Sequence, residues 1–136
     1  MRRVVVTGMG CVTPVGNDVP TFWESLKQGK CGIGPITHFD TTDYKVKVAA
    51  EVKDFDPLQY MEKSELRKFD VFCQYAMAAA TQAVEESGIK GTLPPARIGT
   101  YFGSGIGGMH TFAEEQKTLM EKGPRRVSPF FVPGMI

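Results

Sequence analysis

The sequence predicts a layered α/β fold, in which helices cover a sheet of mostly buried strands. Two short apolar segments, residues 4–7 and 98–102, have the composition of strands that are buried on both faces. Between them, residues 64–87 carry apolar side chains at intervals of three and four, which is typical of a helix. With 136 residues, the chain has the length of one domain and could bury a sizeable core.

A helix is predicted soon after the first strand. Asp18 is its expected N-cap, Pro20 fits the first turn, and Gly29 is its expected end. The apolar face of this helix should consist of Phe22, Trp23 and Leu26. The chain between the strand and the helix is interrupted repeatedly, by Gly8, Gly10, Pro14 and Gly16.

The middle of the chain combines irregular segments with the longest helix. Residues 31–44 look irregular, residues 46–50 alternate as a weak strand, and residues 54–60 are rich in turn formers. Ser64 is the predicted cap of the long helix, which should end at Ser87 and Gly88. Its apolar residues spread beyond a single stripe, so we expect it to be buried on more than one side.

The last part of the chain begins with the second buried strand and a glycine cluster. A more amphipathic helix is predicted over residues 110–121, with Gly123 and Pro124 ending it. Its inward side chains should be Phe112, Leu119 and Met120.

Composition excludes several classes of function. The formal net charge is +1, so no global field favours nucleic acid, and electrostatic recognition must be local. No segment approaches the roughly 20 apolar residues of a membrane span, and the N-terminus lacks the apolar run of a signal peptide. The three cysteines are widely spaced, which favours reduced thiols over a disulfide framework. We therefore expect a soluble, cytoplasmic protein that binds no metal.

The glycine cluster, residues 103–108, formally satisfies the G-x-G-x-x-G pattern of a dinucleotide-binding turn. No acidic residue follows at the end of a strand about 20 residues later, where a ribose hydroxyl would be bound. Residues 4–10 also begin like the strand and turn of a dinucleotide-binding domain. Pro14, however, prevents the helix that should follow at once and bind the pyrophosphate with its N-terminus. A tight turn beneath a central sheet is the better interpretation there, and a dinucleotide-binding domain remains a weaker alternative.

The sequence contains no convincing catalytic nucleophile. Cys73 lies within the long helix among apolar residues, which would raise the pKa of its thiol. Cys11 has no histidine near it in sequence, Cys31 lies in a loop with no obvious partner, and His38 and His110 look like loop or helix-surface residues.

Two basic clusters stand out against the balanced charge of the chain. They are interpreted either as solvated surface or as a docking site for an acidic partner. Cations at the start of a helix oppose its dipole, which slightly favours docking for the first cluster. The clusters consist of Lys63, Arg67 and Lys68, and of Arg125 and Arg126.

Several short motifs follow one another along essentially the whole chain. Because of these motifs and their order, the chain resembles the bacterial chain-elongating β-ketoacyl-acyl carrier protein synthases. Any one motif is weak, and all of them in order are highly specific. They are Arg3-Val4-Val5-Val6-Thr7-Gly8-Met9-Gly10, Thr13-Pro14-Val15-Gly16, Cys31-Gly32-Ile33, His38-Phe39-Asp40, Arg67-Lys68-Phe69-Asp70, Gly103-Ser104-Gly105-Ile106-Gly107-Gly108 and Ser128-Pro129-Phe130-Phe131-Val132-Pro133.

The resemblance implies a thiolase-like fold of two duplicated halves, a homodimer, and a decarboxylative Claisen condensation in fatty-acid synthesis. In such enzymes, which are acyltransferases, an acyl chain moves from acyl carrier protein to a cysteine, and malonyl carrier protein then loses carbon dioxide and attacks it. The resemblance places that cysteine and two histidines downstream of Ile136. It implies no cofactor and no metal, and it assigns no catalytic residue to this chain.

The resemblance does assign binding residues. Ile106, with Gly105 and Gly107 beside it, matches the lining of the acyl-chain pocket, and Phe131 matches a pocket residue near or across the dimer interface. The positions that match carrier-protein docking are Lys63, Arg67, Lys68, Arg125 and Arg126. Ser64 stands where some relatives have a basic residue.

We therefore expect residues 1–136 to form an incomplete part of the N-terminal half of a condensing enzyme, with no second domain and no activity alone. As an isolated piece it should be poorly soluble or partly ordered, because its central strands would lack neighbours. An alternative is a carrier-binding or assembly fragment with no chemistry.

Overall fold

Residues 2–136 are described by a computed structural model, and Met1, with which the predicted domain begins, lies outside the described residues. The described chain is mixed helix and sheet, which confirms the predicted α/β class. It holds five α-helices and one two-stranded sheet, besides three short 3-10 turns. These elements are α1 Val19–Lys27, β1 Ile33–Pro35, β2 Val48–Ala50, α2 Lys63–Leu66, α3 Val71–Ser87, α4 Met109–Lys122 and α5 Phe131–Met135.

The chain divides into two units. The first comprises the residues up to Asp56 together with Ala79–Gly88, and the second comprises Pro57–Ala78 and Ile89–Ile136. Helix α3 therefore contributes its start to the second unit and its end to the first.

In the first unit, α1 forms as the sequence predicts. The carboxylate of Asp18 accepts a hydrogen bond from the Thr21 backbone N–H at 2.7 Å, which satisfies one of the free donors at the helix start. Gly29 follows the helix with a φ of +65°, a left-handed conformation that glycine adopts without strain. The predicted apolar face is largely uncovered, because Trp23 and Leu26 are exposed in the described part of the chain.

The small sheet of the first unit is antiparallel, with β1 and β2 paired so that Gly34 lies opposite Ala49. Strand β2 confirms the weak strand predicted around Val48 and Ala50. The prediction that residues 31–44 are irregular is wrong where β1 forms, because a three-residue strand containing glycine and proline has too little pattern to be recognised.

The predicted strand at residues 4–7 is wrong. These residues belong to no strand, and Val4 is 94% exposed. A strand needs a partner for its backbone N–H and C=O groups, and the part of the chain that the structure describes offers none to this segment. Gly8 and Gly10 instead approach the end of α3: a Cβ on Gly10 would lie 1.9 Å from the Ala79 carbonyl oxygen.

In the second unit, the predicted continuous helix from Ser64 is wrong. Helix α2 ends at Leu66, residues 67–70 interrupt it, and α3 begins at Val71. The Asp70 carboxylate accepts a hydrogen bond from the Val71 backbone N–H at 2.6 Å, so Asp70 and not Ser64 stands at the start of the long helix. Its end after Ser87 is confirmed, with Gly88 at a φ of +61°.

The predicted strand at residues 98–102 is also wrong: these residues belong to no strand, and Tyr101 is fully exposed. Helix α4 and its end at Gly123 are confirmed. The prediction that Phe112, Leu119 and Met120 point inward is wrong, because all three are exposed, Met120 most of all at 76%.

Few hydrophobic side chains are buried within residues 2–136. Met61 and Ala78 are the buried hydrophobic residues, and most α3 side chains are half-buried, so the sizeable core that the chain length allows does not form here. The reason is that the most apolar segments, 4–7 and 98–102, have no sheet neighbours to cover them.

Candidate functional site

The glycine cluster forms a turn that packs against α5. The Gly107 N–H donates to the Ser104 hydroxyl at 2.9 Å, and Gly107 has a φ of +72°, which only glycine adopts readily. The Gly108 N–H donates to the Met135 carbonyl oxygen at 2.8 Å. A Cβ on Gly107 would lie 2.2 Å from that same oxygen. Both residues therefore have to be small, because the backbones of the turn and of α5 touch.

Asp70 connects α3 with α4. Its Oδ2 accepts a hydrogen bond from the Thr111 backbone N–H at 2.8 Å, while Oδ1 accepts from Val71. Burial alone would raise the pKa of Asp70, but the bonds from Thr111 and Val71 and the charge of His110 outweigh it and hold that pKa below its usual value. Asp70 is thus an ionised acceptor shared by the first turns of two helices.

Phe130 directly precedes α5 and Phe131 begins it, and the two rings contact different partners. The Phe131 ring lies with its centroid 6.2 Å from that of Phe112 on α4, tilted by 35°. The Lys68 Nζ lies 5.7 Å from the centroid of the Phe130 ring, within the range of a cation–π interaction. These contacts anchor the residues around Phe131 to both α4 and the segment after α2.

A hollow of about 230 Å³ lies among these groups. It is lined by the cationic pair Arg67 and Lys68, by the phenyl rings of Phe130 and Phe131, and by His110. The carboxylates of Glu114 and Glu115 also line it, and Glu115 accepts a hydrogen bond from the Ser128 N–H at 2.8 Å.

A larger hollow of about 750 Å³ lies in the first unit, and apolar residues such as Phe22 and Trp23 line part of it. It contains none of the residues predicted to line an acyl pocket or to dock a carrier protein. We therefore base the candidate site on the smaller hollow, where predicted residues converge.

The predicted acyl-pocket residues lie on the two backbones that touch. Phe131 is half-buried at the start of α5, and Gly107 contacts the end of that helix. Ile106 is 74% exposed, and a Cβ on Gly105 would meet open space. The structure thus places Gly107 in contact with the helix that Phe131 begins, whereas the side chain of Ile106 is exposed.

The predicted docking residues are mostly exposed and divide among three places. Arg67 and Lys68 line the smaller hollow, Lys63 begins α2, and the remaining two arginines lie in the turn Pro124–Arg126. Among residues 2–136, none of the five cations forms a salt bridge with a carboxylate. They remain available to an external anion.

Two cysteine environments agree with the expectation that no thiol is activated. Burial, and secondarily the charge of Asp18, raises the pKa of Cys11. Burial, and secondarily the charge of Asp70, raises that of Cys73. No group of three potential metal ligands is found among the described side chains.

The dinucleotide alternative loses its structural basis. Its phosphate would bind at the start of α4, where the backbone donors point outward. There the Thr111 N–H is already bonded to the Asp70 carboxylate, and a Cβ on Gly108 would lie 2.8 Å from that carboxylate. A negative side chain therefore occupies the place of the pyrophosphate.

Asp70 is the site residue that sequence reasoning missed. It belongs to the Arg67–Asp70 motif, and an aspartate directly before an apolar run is a common signal of a helix start. Its bond to Thr111, 41 residues away, has no signal in the sequence.

Comparisons with known proteins identify the chain's relatives. The family description "Beta-ketoacyl synthase, N-terminal domain" matches residues 1–136. The 3-oxoacyl-[acyl-carrier-protein] synthase 2 of Vibrio harveyi is 51% identical over 136 residues, and that of Staphylococcus aureus strain COL is also 51% identical. The Coxiella burnetii protein of the same name is 49% identical over 137 residues. Each alignment covers 99% of this chain and 33% of the relative, so the chain spans about a third of their length.

Solved structures of ketosynthases have a fold similar to that of this chain. A type II PKS ketosynthase, bound to the hexaketide and in complex with its acyl-carrier protein, superposes with a TM-score of 0.81 at 30% identity. That superposition covers 100% of this chain and 37% of the other. A β-ketoacyl synthase from Burkholderia phymatum STM815 superposes with a TM-score of 0.79 at 25% identity, covering 100% of this chain and 34% of the other.

No helix among the described residues is long and apolar enough to cross a membrane. The fold of the chain is that of part of the thiolase-like ketosynthases, which confirms the predicted fold class. The chain belongs to the family of β-ketoacyl synthase N-terminal domains.

Proposed function

We propose that this chain provides part of the N-terminal half of a condensing enzyme of fatty-acid synthesis, an acyltransferase that extends an acyl chain with a malonyl unit. In the reaction, the malonyl group loses carbon dioxide, and the resulting carbanion attacks the thioester carbonyl of an acyl-enzyme and expels a cysteine thiolate. The observation that carries the proposal is the family match over residues 1–136, together with relatives that are named for this activity.

The role of this segment in the proposal is binding and not bond making. The raised thiol pKa values of Cys11 and Cys73 argue against either as the nucleophile, and we assign no catalytic residue here. Ile106, Gly105, Gly107 and Phe131 would line the acyl pocket. Each buried methylene of the acyl chain contributes roughly 0.8 kcal/mol, so apolar side chains at these positions favour binding of the chain.

Acyl carrier protein is the proposed partner, and a solved relative is in complex with an acyl-carrier protein. The uncompensated cations Lys63, Arg67, Lys68, Arg125 and Arg126 support the proposal, because local positive charge accelerates association with an acidic surface. Arg67 and Lys68 lie beside the hollow that Phe131 lines, so a carrier docked there could deliver its acyl chain to the pocket.

A charge reversal tests the docking surface. The double variant Arg67→Glu with Lys68→Glu is made in the protein that contains this segment. It should bind acyl carrier protein about tenfold more weakly at low ionic strength, and its binding affinity should depend less on salt concentration. The matched control is Lys117→Glu with Lys122→Glu, two exposed cations of α4 outside the predicted docking set. Equal losses in both double variants, or unchanged affinity in the first, would overturn the docking assignment.

A second assay tests the reaction class. Release of carbon dioxide from malonyl carrier protein with formation of an extended acyl carrier protein supports the proposal. Carrier binding without condensation would point instead to a binding or assembly protein, and saturable binding of NAD(P)H in a fluorescence titration would contradict the assignment of the glycine cluster.

We also propose that the protein is a cytoplasmic homodimer. The three free thiols, Cys11, Cys31 and Cys73, support a reducing compartment. Light scattering of the purified protein tests the dimer, and a monomeric mass at micromolar concentration would overturn it.

A further inference from the structure

We infer that Asp70 is a positioning residue for acyl-chain selection: its carboxylate holds the glycine turn of Ile106 against the helix of Phe131. This inference rests on the proposed function, because it assumes that these two side chains line an acyl pocket. Asp70 itself is not proposed to touch the substrate.

The first step concerns hydrogen bonds. The two carboxylate oxygens accept from two different helices, Oδ1 from the Val71 N–H at 2.6 Å and Oδ2 from the Thr111 N–H at 2.8 Å. Bonds to an ionised acceptor are about twice as strong as those between neutral groups. The lowered pKa of Asp70 agrees with this, since the same bonds from Thr111 outweigh the effect of burial. The start of α4 is therefore fixed relative to the segment that contains Arg67 and Lys68.

The second step concerns packing. Gly108, directly before α4, is buried: a Cβ on it would lie 2.8 Å from Asp70 Oδ2 and 2.4 Å from the Gly134 carbonyl oxygen. Gly134 is buried as well, and a Cβ there would lie 3.1 Å from the Lys68 carbonyl oxygen. Three backbone segments meet at this point without spare room, so movement of one must displace the others.

The third step connects this junction to the pocket. Ile106 lies two residues before Gly108, and Phe131 lies three residues before Gly134. Because the side chain of Ile106 is 74% exposed, its own contacts hold it little, and its position follows from the turn to which it belongs. Loss of the Asp70 carboxylate would therefore loosen the spacing between the two pocket residues.

The test uses the full-length condensing enzyme that contains this segment, with Asp70→Ala and Asp70→Asn as variants. Asparagine keeps one acceptor oxygen and so preserves one of the two bonds. The matched control is Asp40→Ala, which removes a carboxylate that accepts from the Thr42 N–H at 3.0 Å and its hydroxyl at 2.7 Å in the first unit. The readout is the ratio of kcat/KM for a long-chain and a short-chain acyl carrier protein. A loss of folded enzyme lowers both values equally and leaves this ratio unchanged.

In Asp70→Ala, we expect the long-chain to short-chain ratio of kcat/KM to change by about tenfold, in the direction of one. The reason is that a misplacement of about 1 Å can change reactivity by roughly a hundredfold. The shift should be about threefold in Asp70→Asn, and absent in the control. An unchanged ratio in Asp70→Asn and in any folded Asp70→Ala enzyme, with the unmodified enzyme active, would overturn this inference alone. An unmodified protein that condenses neither substrate would overturn the proposed function and this inference with it.

Discussion

Gly108 offers the sharpest prediction about how the candidate site is built. Its φ of −81° is accessible to any residue, so an alanine there would not strain the backbone itself. The added methyl would instead lie 2.4 Å from the Gly134 carbonyl oxygen and 2.8 Å from the Asp70 carboxylate. Contacts below 3.0 Å with backbone cannot be relieved by rotating a side chain, so α5 or Asp70 must move.

The expected cost of Gly108→Ala is about 1–3 kcal/mol of unfolding free energy, the usual range for overpacking a close junction. The matched control is Gly103→Ala in the same glycine cluster, where a Cβ meets nothing within 4 Å. That substitution should stabilise the protein by about 0.4–1 kcal/mol, because it restricts the unfolded chain. The two alanines are therefore expected to act with opposite sign although they lie five residues apart.

Urea denaturation measures both variants. With a slope of about 1–3 kcal/mol per molar urea, Gly108→Ala should lower the unfolding midpoint by roughly 1 M, and Gly103→Ala should raise it slightly. If Gly108→Ala unfolds at the same urea concentration as Gly103→Ala, the junction between the glycine turn and α5 is not packed as described.

Two further predictions follow from titratable groups. Because the folded-state pKa of Asp70 is lowered, its contribution to stability is present above its unfolded pKa of about 3.9 and is lost as the pH falls through the folded value. The urea midpoint of the unmodified protein should therefore fall at acidic pH, and Asp70→Asn should reduce this fall. An acid-induced fall of the same size in Asp70→Asn would contradict the assignment. Exposed Cys31 should be alkylated by iodoacetamide before Cys11 and Cys73, whose pKa values are raised by burial; peptide mass spectrometry that finds either of these modified first would refute the described environments.

Helix ends were the features that the sequence predicted best. Asp18 at the start of α1, Gly29 after it, and Gly123 after α4 stand where their local chemistry requires. Caps and left-handed glycines satisfy groups within a few residues, so the information needed to place them is local. The break before α3 was not predicted: Ser64 lies inside α2, whose N-cap is Glu62, and the bond of Asp70 to Thr111, 41 residues away, forms only when the chain folds.

Strands were predicted least well, for a physical reason. Residues 4–7 and 98–102 have the composition of buried strands, but a strand also needs hydrogen-bonded neighbours, which composition does not supply. The candidate site divides in the same way. The order of motifs along the sequence alone determined the family and the residue types at Ile106, Phe131 and the cationic positions. The tertiary structure decided that the segments of Asp70, Gly108 and Gly134 meet at one junction, because contacts between residues 26–66 positions apart depend on how the chain folds back on itself.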